Sequence, residues 1–349
     1  TSSDTEAIGQ LIAQGRDAVD GLKIVEQECK GSYSLVVLTE EGLYAFRDPR
    51  GIKPLCIGKT EGMAGIASES CALDSLDGRW GLHFERDVER GEIYHVGKDG
   101  EWSEHLPQKQ RALDIFELVY FARRDSIIDG IDVAEFRIEA GRMLARKDEG
   151  LLCNDKSAVV VPVQHSGTDA AVGYAMESGI RYVPYLFRKR TDRSFTLPTT
   201  EGREDAIRRK MGVVKRLIPK YGTKILLVDD SNIRGNTAGQ ITRLLWDGGA
   251  TKIHGRYVYP PVVNTCPFGI DMKRREEHVA HQYPDIRERA KHLGFTDIAH
   301  LSREDLVEVA TAVKYGDSGE PEGGRKRFSL GDFCTRCAGG PDPEGIEGE

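Results

Sequence analysis

The longest informative pattern runs from Ile225 to Gly249. The unbroken apolar run Ile225-Leu226-Leu227-Val228 ends in two adjacent acids, Asp229-Asp230. The polar stretch Ser231-Asn232-Ile233-Arg234-Gly235-Asn236-Thr237 follows, interrupted only by Ile233. Ile241, Leu244 and Leu245 then fall on one helical face before Gly248-Gly249. The pattern predicts a strand, an acidic turn, a loop and a helix. A second apolar run, Ala158 to Val163, leads through Ser166-Gly167-Thr168 into a helical segment from Ala170 to Ser178. Val133 to Lys147 reads as a helix, Ile253 to Val258 as a strand, and Ile115 to Ala122 as extended chain. Such alternation predicts an α/β fold, a doubly wound parallel sheet with crossover helices. Gly316 to Lys326 is a polar, Gly-rich loop.

The earlier part of the chain reads differently. Ser3 and Glu6 have capping-box spacing ahead of Ile8, Leu11 and Ile12. Tyr33 to Leu38 and Leu43 to Phe46 form a predicted hairpin around Glu40-Glu41-Gly42. Further strand-like pieces are Pro54 to Ile57, Ile66 to Ser70 and Ile93 to Val96. This β-rich set has no clear partner layer, which is odd for a complete domain. The pattern changes near Leu106-Pro107-Gln108-Lys109-Gln110-Arg111, which places a boundary between residues 1–108 and 109–349.

Composition narrows the class. The chain has 349 residues, room for two domains with real cores. Hydrophobic content of 39% and charged content of 30% describe a soluble globular protein. A net charge of −7 leaves no footprint for nucleic acid, and no apolar run reaches membrane-spanning length. The start holds no signal peptide, and seven scattered cysteines do not form a secreted disulfide framework, so a cytoplasmic location with reduced thiols is expected.

The chemistry concentrates in the two loops. Backbone N–H groups of a Gly-containing loop and the N-terminus of the helix behind it suit a phosphate. Two carboxylates at the carboxyl end of a strand suit a sugar diol or the water shell of Mg²⁺. Phosphoribosyl pyrophosphate (PRPP) with Mg²⁺ combines these features, and the Asp229-Asp230 segment resembles the PRPP loop of type I phosphoribosyltransferases. An ordinary βα turn capped by acids and Ser is the plainer reading. In a doubly wound sheet two such loops sit side by side at the switch point, one for the 5′-phosphate and one for pyrophosphate. Between them lies the basic stretch Arg188-Lys189-Arg190-Thr191-Asp192-Arg193, followed by Arg203, Arg208, Arg209 and Lys210. A loop bearing these residues is suited to close over an anionic substrate and exclude water.

A longer series of motifs extends the resemblance. It includes Thr1-Ser2-Ser3-Asp4-Thr5-Glu6, Lys30-Gly31-Ser32-Tyr33-Ser34-Leu35, Arg47-Asp48-Pro49 and Ala67-Ser68-Glu69-Ser70. Phe116-Glu117, Val119-Tyr120-Phe121-Ala122-Arg123, Gly269-Ile270-Asp271-Met272 and Phe333-Cys334-Thr335 continue it. In this order they resemble the glutamine-dependent amidophosphoribosyltransferases. The resemblance implies a partial N-terminal-nucleophile glutaminase domain over 1–108 and a type I phosphoribosyltransferase domain over 109–349. It implies that ammonia from glutamine displaces pyrophosphate from PRPP to give phosphoribosylamine in purine synthesis. By resemblance, Asp229 and Asp230 serve the ribose hydroxyls and metal waters, with Arg193 beside them in the catalytic set. Ser231, Asn232, Arg234, Gly235, Asn236 and Thr237 hold the 5′-phosphate, and Ser166 and Gly167 the pyrophosphate. Mg²⁺ belongs near Ser166, Asp229 and Asp230, and Asp4 matches the acid that holds the glutamine amino group. Purine nucleotide feedback inhibitors and a homo-oligomer are implied as partners.

The departures carry information too. The family opens with a catalytic Cys that has no counterpart here, so the chain is expected to be N-terminally truncated and to use ammonia only. Thr1 aligns deep inside the glutaminase domain and is rejected as a nucleophile. His165 stands where the family has Asp, Asn236 where it has Thr, Gly212 where it has Asn, and Lys189-Arg190-Thr191 lacks the usual Tyr. Many members bind an iron–sulfur (4Fe-4S) cluster. Cys266, Cys334 and Cys337 match three ligands, and Asp114 stands at the fourth. Three plain reduced cysteines are the alternative. Alternatives for the whole chain are a salvage-type phosphoribosyltransferase, against which residues 1–108 argue, and a catalytically weak PRPP-binding regulator.

Overall fold

The computed structural model describes residues 3–76, 80–148, 150–152, 154–188, 211–316 and 327–346. Its later half is built on four parallel strands in the order Ala158–Pro162, Lys224–Asp229, Lys252–Tyr257, Asp297–His300. A parallel bridge from Val160 to Tyr182 extends the sheet beyond the Ala158–Pro162 edge. Chain order therefore runs outward in both directions from the gap between Ala158–Pro162 and Lys224–Asp229. That gap is the topological switch point, where open α/β sheets bind ligands.

Both faces of this sheet are covered, which explains why its strands read as continuous apolar runs. Val160, Leu226 and Val228 pack on one side with Phe136, Ala140 and Ala171, from the helices Val133–Lys147 and Thr168–Ser178. Val159, Val161, Ile225 and Leu227 pack on the other with Ile241 and Leu245, from the helix Asn236–Trp246. The helix Val133–Lys147 is capped by Asp132, whose side chain accepts the Glu135 N–H at 2.8 Å. Gly179, at φ 68°, ends Thr168–Ser178 in the left-handed conformation that glycine adopts without strain.

The earlier half holds two antiparallel sheets. One runs Ser34–Leu38, Gly42–Arg47, Glu92–Gly97, Gly100–His105, and the other Met63–Ala67, Cys56–Thr60, His83–Asp87. Ala45, Leu55, Ile57, Val88 and Tyr94 form a shared apolar cluster. The expected hairpin forms with Leu38 opposite Leu43. The helix Ala18–Glu28 was not read from the sequence. Asp17 caps it through the Asp20 N–H, and Leu22 and Val25 are buried beneath it.

Two local expectations are corrected. Ser3 precedes the helix Asp4–Ile12, but its side chain makes no capping bond, so the capping box does not form. Ile115 to Ala122 is not extended: Glu117–Phe121 is a π-helical turn, closed by the Ala122 N–H on Glu117 O at 2.9 Å. Its aromatic and β-branched residues favour a strand locally, and tertiary contacts override that preference. The two halves are tied by ion pairs. Asp129 receives Arg47 at 2.7 Å, and Asp114 receives Lys53 at 2.7 Å. Among the described residues no helix is long and apolar enough to cross a membrane. Most of the polar loop from Gly316 lies outside the described residues.

Candidate functional site

Asp229 is the last residue of its strand, and Asp230 follows it into a cleft of about 650 Å³. The cleft is lined by Ser231, Asn232, Arg234, Gly235, Asn236 and Thr237 on one side and by Gln164 and Ser166 on the other. The two predicted loops are thus brought together. Val163 N–H donates to Val228 O at 2.9 Å, and Ser166 Oγ donates to Asp229 Oδ1 at 2.9 Å. Asp229 Oδ1 also accepts the Asp230 N–H at 2.9 Å, while Ser231 Oγ donates to Asp230 Oδ1.

Glycine makes the close approach possible. A Cβ on Gly167 would lie 2.3 Å from Val228 O and 2.8 Å from Asp229 Cα. Gly235 takes φ 78° at the N-cap of the helix Asn236–Trp246, a conformation that directs the loop back over the helix end. Gly235 thus caps a helix whose first residues line the cleft, whereas Gly167, the N-cap of Thr168–Ser178, stands behind Ser166 and is not among the lining residues.

The acid pair is electrostatically strained. Burial, reinforced by repulsion from Asp230, pushes the Asp229 carboxyl well above the usual range. Burial raises Asp230 as well, opposed by hydrogen bonds from Ser166 and Ser231 and by the positive charge of Arg137. Such a pair gains from a bound cation. Two carboxylates and a hydroxyl fit Mg²⁺, which keeps several waters and takes oxygens from substrate phosphates. Among the described residues no group of three or more His, Cys, Asp or Glu side chains is arranged to cage an ion unaided.

Not every expected residue joins the cleft. Arg234 lines it but is paired with Glu277 at 2.9 Å. Arg193 lies outside the described residues. Asp4 is exposed at the first turn of its helix and lines neither this cleft nor the second one described below. Phe116, just before the π-helical turn, and Tyr120 within it supply an aromatic wall that was not assigned to the site from sequence. They stand far from both loops in the chain, so only the tertiary fold reveals them. The same turn sends Glu117 and Phe121 toward a second cleft with Lys53, Glu69 and Tyr33.

The cysteine corner assembles only in part as expected. Cys334 pairs in register with Asp114 across a short parallel bridge. Cys337 contacts Tyr259 Oη at 2.9 Å, and Cys266 Sγ accepts the Phe268 N–H at 3.3 Å. Burial pushes the Cys334 thiol up and the Cys337 thiol up to about 12. Asp114 is engaged at both oxygens, by Lys53 Nζ at 2.7 Å and by the Phe116 N–H at 3.1 Å. A carboxylate held this way does not fit the role of fourth cluster ligand. The corner is joined by the ion pair from Arg336 to Asp342 at 2.6 Å. Chain purified without oxygen is expected to hold well under one iron per molecule and to show no cluster absorption. Stoichiometric iron and sulfide would show that Asp114 leaves Lys53 for a metal.

Comparison with known proteins agrees with this geometry. Residues 1–75 match a glutamine amidotransferase domain family. The amidophosphoribosyltransferase of Archaeoglobus fulgidus is 37% identical over 100% of this chain and 72% of its own length. That of Methanocaldococcus jannaschii is 35% identical over 100% and 72%. The glutamine PRPP amidotransferase of B. subtilis, solved with ADP and GMP, superposes with a TM-score of 0.84. It is 32% identical in that alignment, which covers 99% of this chain and 72% of the solved one. Near-complete coverage of this chain at this identity places it in the amidophosphoribosyltransferase family, pentosyltransferases of purine biosynthesis.

Proposed function

We propose that the cleft between the two loops binds PRPP with Mg²⁺ and that Asp229 and Asp230 are its catalytic acids. The observation that carries this is the hydrogen bond from Ser166 to Asp229, which joins a candidate pyrophosphate loop to the acid pair. The 5′-phosphate would rest on the backbone of Ser231 to Thr237 and the N-terminus of the helix Asn236–Trp246. Pyrophosphate would rest on Ser166 and Gly167, at the start of Thr168–Ser178. Asp229 and Asp230 would then face the ribose hydroxyls. Bound Mg²⁺ supplies charge neutralisation for the leaving pyrophosphate.

Ammonia attacks C1 of the ribose as the bond to pyrophosphate breaks, and phosphoribosylamine and pyrophosphate leave. Positive charge develops on the ribose ring, so fixed carboxylates and precise placement matter more than a strong base. Phe116 and Tyr120 would shield C1 from water, the competing nucleophile. Residues 1–108 would be the C-terminal part of a glutaminase domain and residues 109–349 the transferase domain. The same phosphate loops suit purine nucleotides such as those bound by the B. subtilis relative.

The test is steady-state turnover with ammonia, PRPP and Mg²⁺. Formation of phosphoribosylamine with stoichiometric pyrophosphate is expected. Turnover with a purine base instead of ammonia would favour a salvage enzyme, and PRPP binding without turnover a regulator.

A further inference from the structure

The π-helical turn Glu117–Phe121 divides the two clefts. Phe116 and Tyr120 line the PRPP cleft, and Glu117 and Phe121 line the second one. Each pair is four residues apart, about one turn, so each shares a face and a rotation of the turn moves both faces together. A π-helical turn is a rare shape that its neighbours must hold. Part of that hold comes from the earlier half of the chain. Lys53 Nζ donates to Glu117 Oε1 at 2.6 Å and to Asp114 Oδ2 at 2.7 Å, and it lies 5.2 Å from the centre of the Phe121 ring. Beyond the other end, Glu69 Oε2 accepts the Arg123 N–H and the Ser126 hydroxyl, both at 2.7 Å. Ser70 Oγ accepts the Ile127 N–H at 2.8 Å. Lys53, Glu69 and Ser70 all lie within residues 1–75, which match the amidotransferase domain family.

We propose that Lys53 and Glu69 are positioning residues for the transferase reaction: they grip the two ends of the turn and so keep Phe116 and Tyr120 against the PRPP cleft, where the rings exclude water from C1. The proposal rests on the reading of this cleft as the PRPP site. Hydrogen bonds to ionised groups are short and directional, so they fix the angle of the turn where apolar contacts alone would let it slide. Without Lys53, Asp114 and Glu117 lose their shared cation and repel each other across the head of the turn. The turn then rotates away, and the aromatic wall leaves the cleft with it. The earlier half of the chain thus serves the transferase even when ammonia comes from solution and no glutamine is present.

The test measures pyrophosphate release from PRPP and Mg²⁺ by the full chain, with saturating ammonia and with none. Release without ammonia reports hydrolysis, in which water attacks C1 and ribose 5-phosphate and pyrophosphate form. Lys53→Met is expected to lower the ammonia-dependent kcat about tenfold or more, as misplacement of groups around the reacting centre does. The ratio of ammonia-free to ammonia-dependent release should rise severalfold, a change that loss of folded protein alone would not produce. Lys53→Arg still offers charged donors to both carboxylates and should restore kcat and the ratio. Glu69→Leu should repeat the Lys53→Met result, and Glu69→Gln, whose amide oxygen still accepts both bonds, should not. Should Lys53→Met fail to fold, the double variant Lys53→Met with Glu117→Gln decides, because the amide removes the repulsion and leaves the tie cut. A wild-type ratio in the folded variants that cut the tie would overturn the proposal, even where kcat falls. A wild-type chain that neither binds PRPP nor releases pyrophosphate from it would instead defeat the reading of the cleft itself.

Discussion

Asp230→Asn lowers kcat/KM for PRPP about 10²–10³-fold and leaves the chain at least as stable as wild type at neutral pH. The loss in rate follows from removing a fixed negative charge where the ribose becomes positive. The gain in stability follows from the strain on the pair. Both carboxyls have folded pKa values raised above their unfolded ones, chiefly by burial. The folded state therefore holds these protons more tightly. Stability is greatest while the acids are protonated, and it is lost as pH climbs from about 4 through the raised folded values. An amide at position 230 removes its own share of that loss and relieves the repulsion on Asp229. The melting advantage of the variant should consequently widen from pH 4 to pH 8 without Mg²⁺ or PRPP. Turnover equal to wild type would dismiss Asp230 as catalytic. A variant that melts lower than wild type at pH 8 would show that the pair is not strained.

The transferase fold was legible because its signals are local and strong. Val133 to Lys147 reads as a helix and is one, with the same ends. The runs Ala158 to Val163 and Ile225 to Val228 read as buried strands and pair in parallel, with Val161 opposite Leu227. The acid pair and both loops were legible for the same reason: each is a contiguous stretch whose chemistry is carried by its own side chains and backbone. The turn Glu117–Phe121 was not, because Arg137, distant in sequence, holds its shape. The pairing of Asp114 with Lys53 was equally hidden. Nothing local to Asp114 announces a lysine 61 residues away. The family resemblance suggested Asp114 as a ligand, and its ion pair with Lys53 comes from the other half of the chain. The first helix shows the opposite failure. Ser3 and Glu6 have the right spacing for a capping box, yet spacing does not oblige the side chains to bond.

Gly167→Ala is expected to damage activity more than stability. Gly167 has φ −85°, which any residue adopts, so backbone strain plays no part in the effect. The effect is contact alone. The added methyl would stand 2.3 Å from Val228 O and 2.8 Å from Asp229 Cα, and both are backbone atoms of a buried strand that has nowhere to move. The Ser166-Gly167 loop must therefore withdraw. That breaks the 2.9 Å bond from Ser166 to Asp229 and separates the pyrophosphate side of the cleft from the acids. Overpacking of this kind costs about 1–3 kcal/mol. A displacement of about 1 Å between groups that must act together costs about 10²-fold in rate. Gly239→Ala is the control, since nothing lies within 4 Å of its Cβ position and alanine favours a helix interior. It should keep wild-type turnover and melt slightly higher. The loss in Gly167→Ala should appear in both kcat and the KM for PRPP, because the leaving group and the acids lose their common register. Wild-type kcat/KM in that variant would show that the two loops work independently, and that their contact through Gly167 serves packing alone.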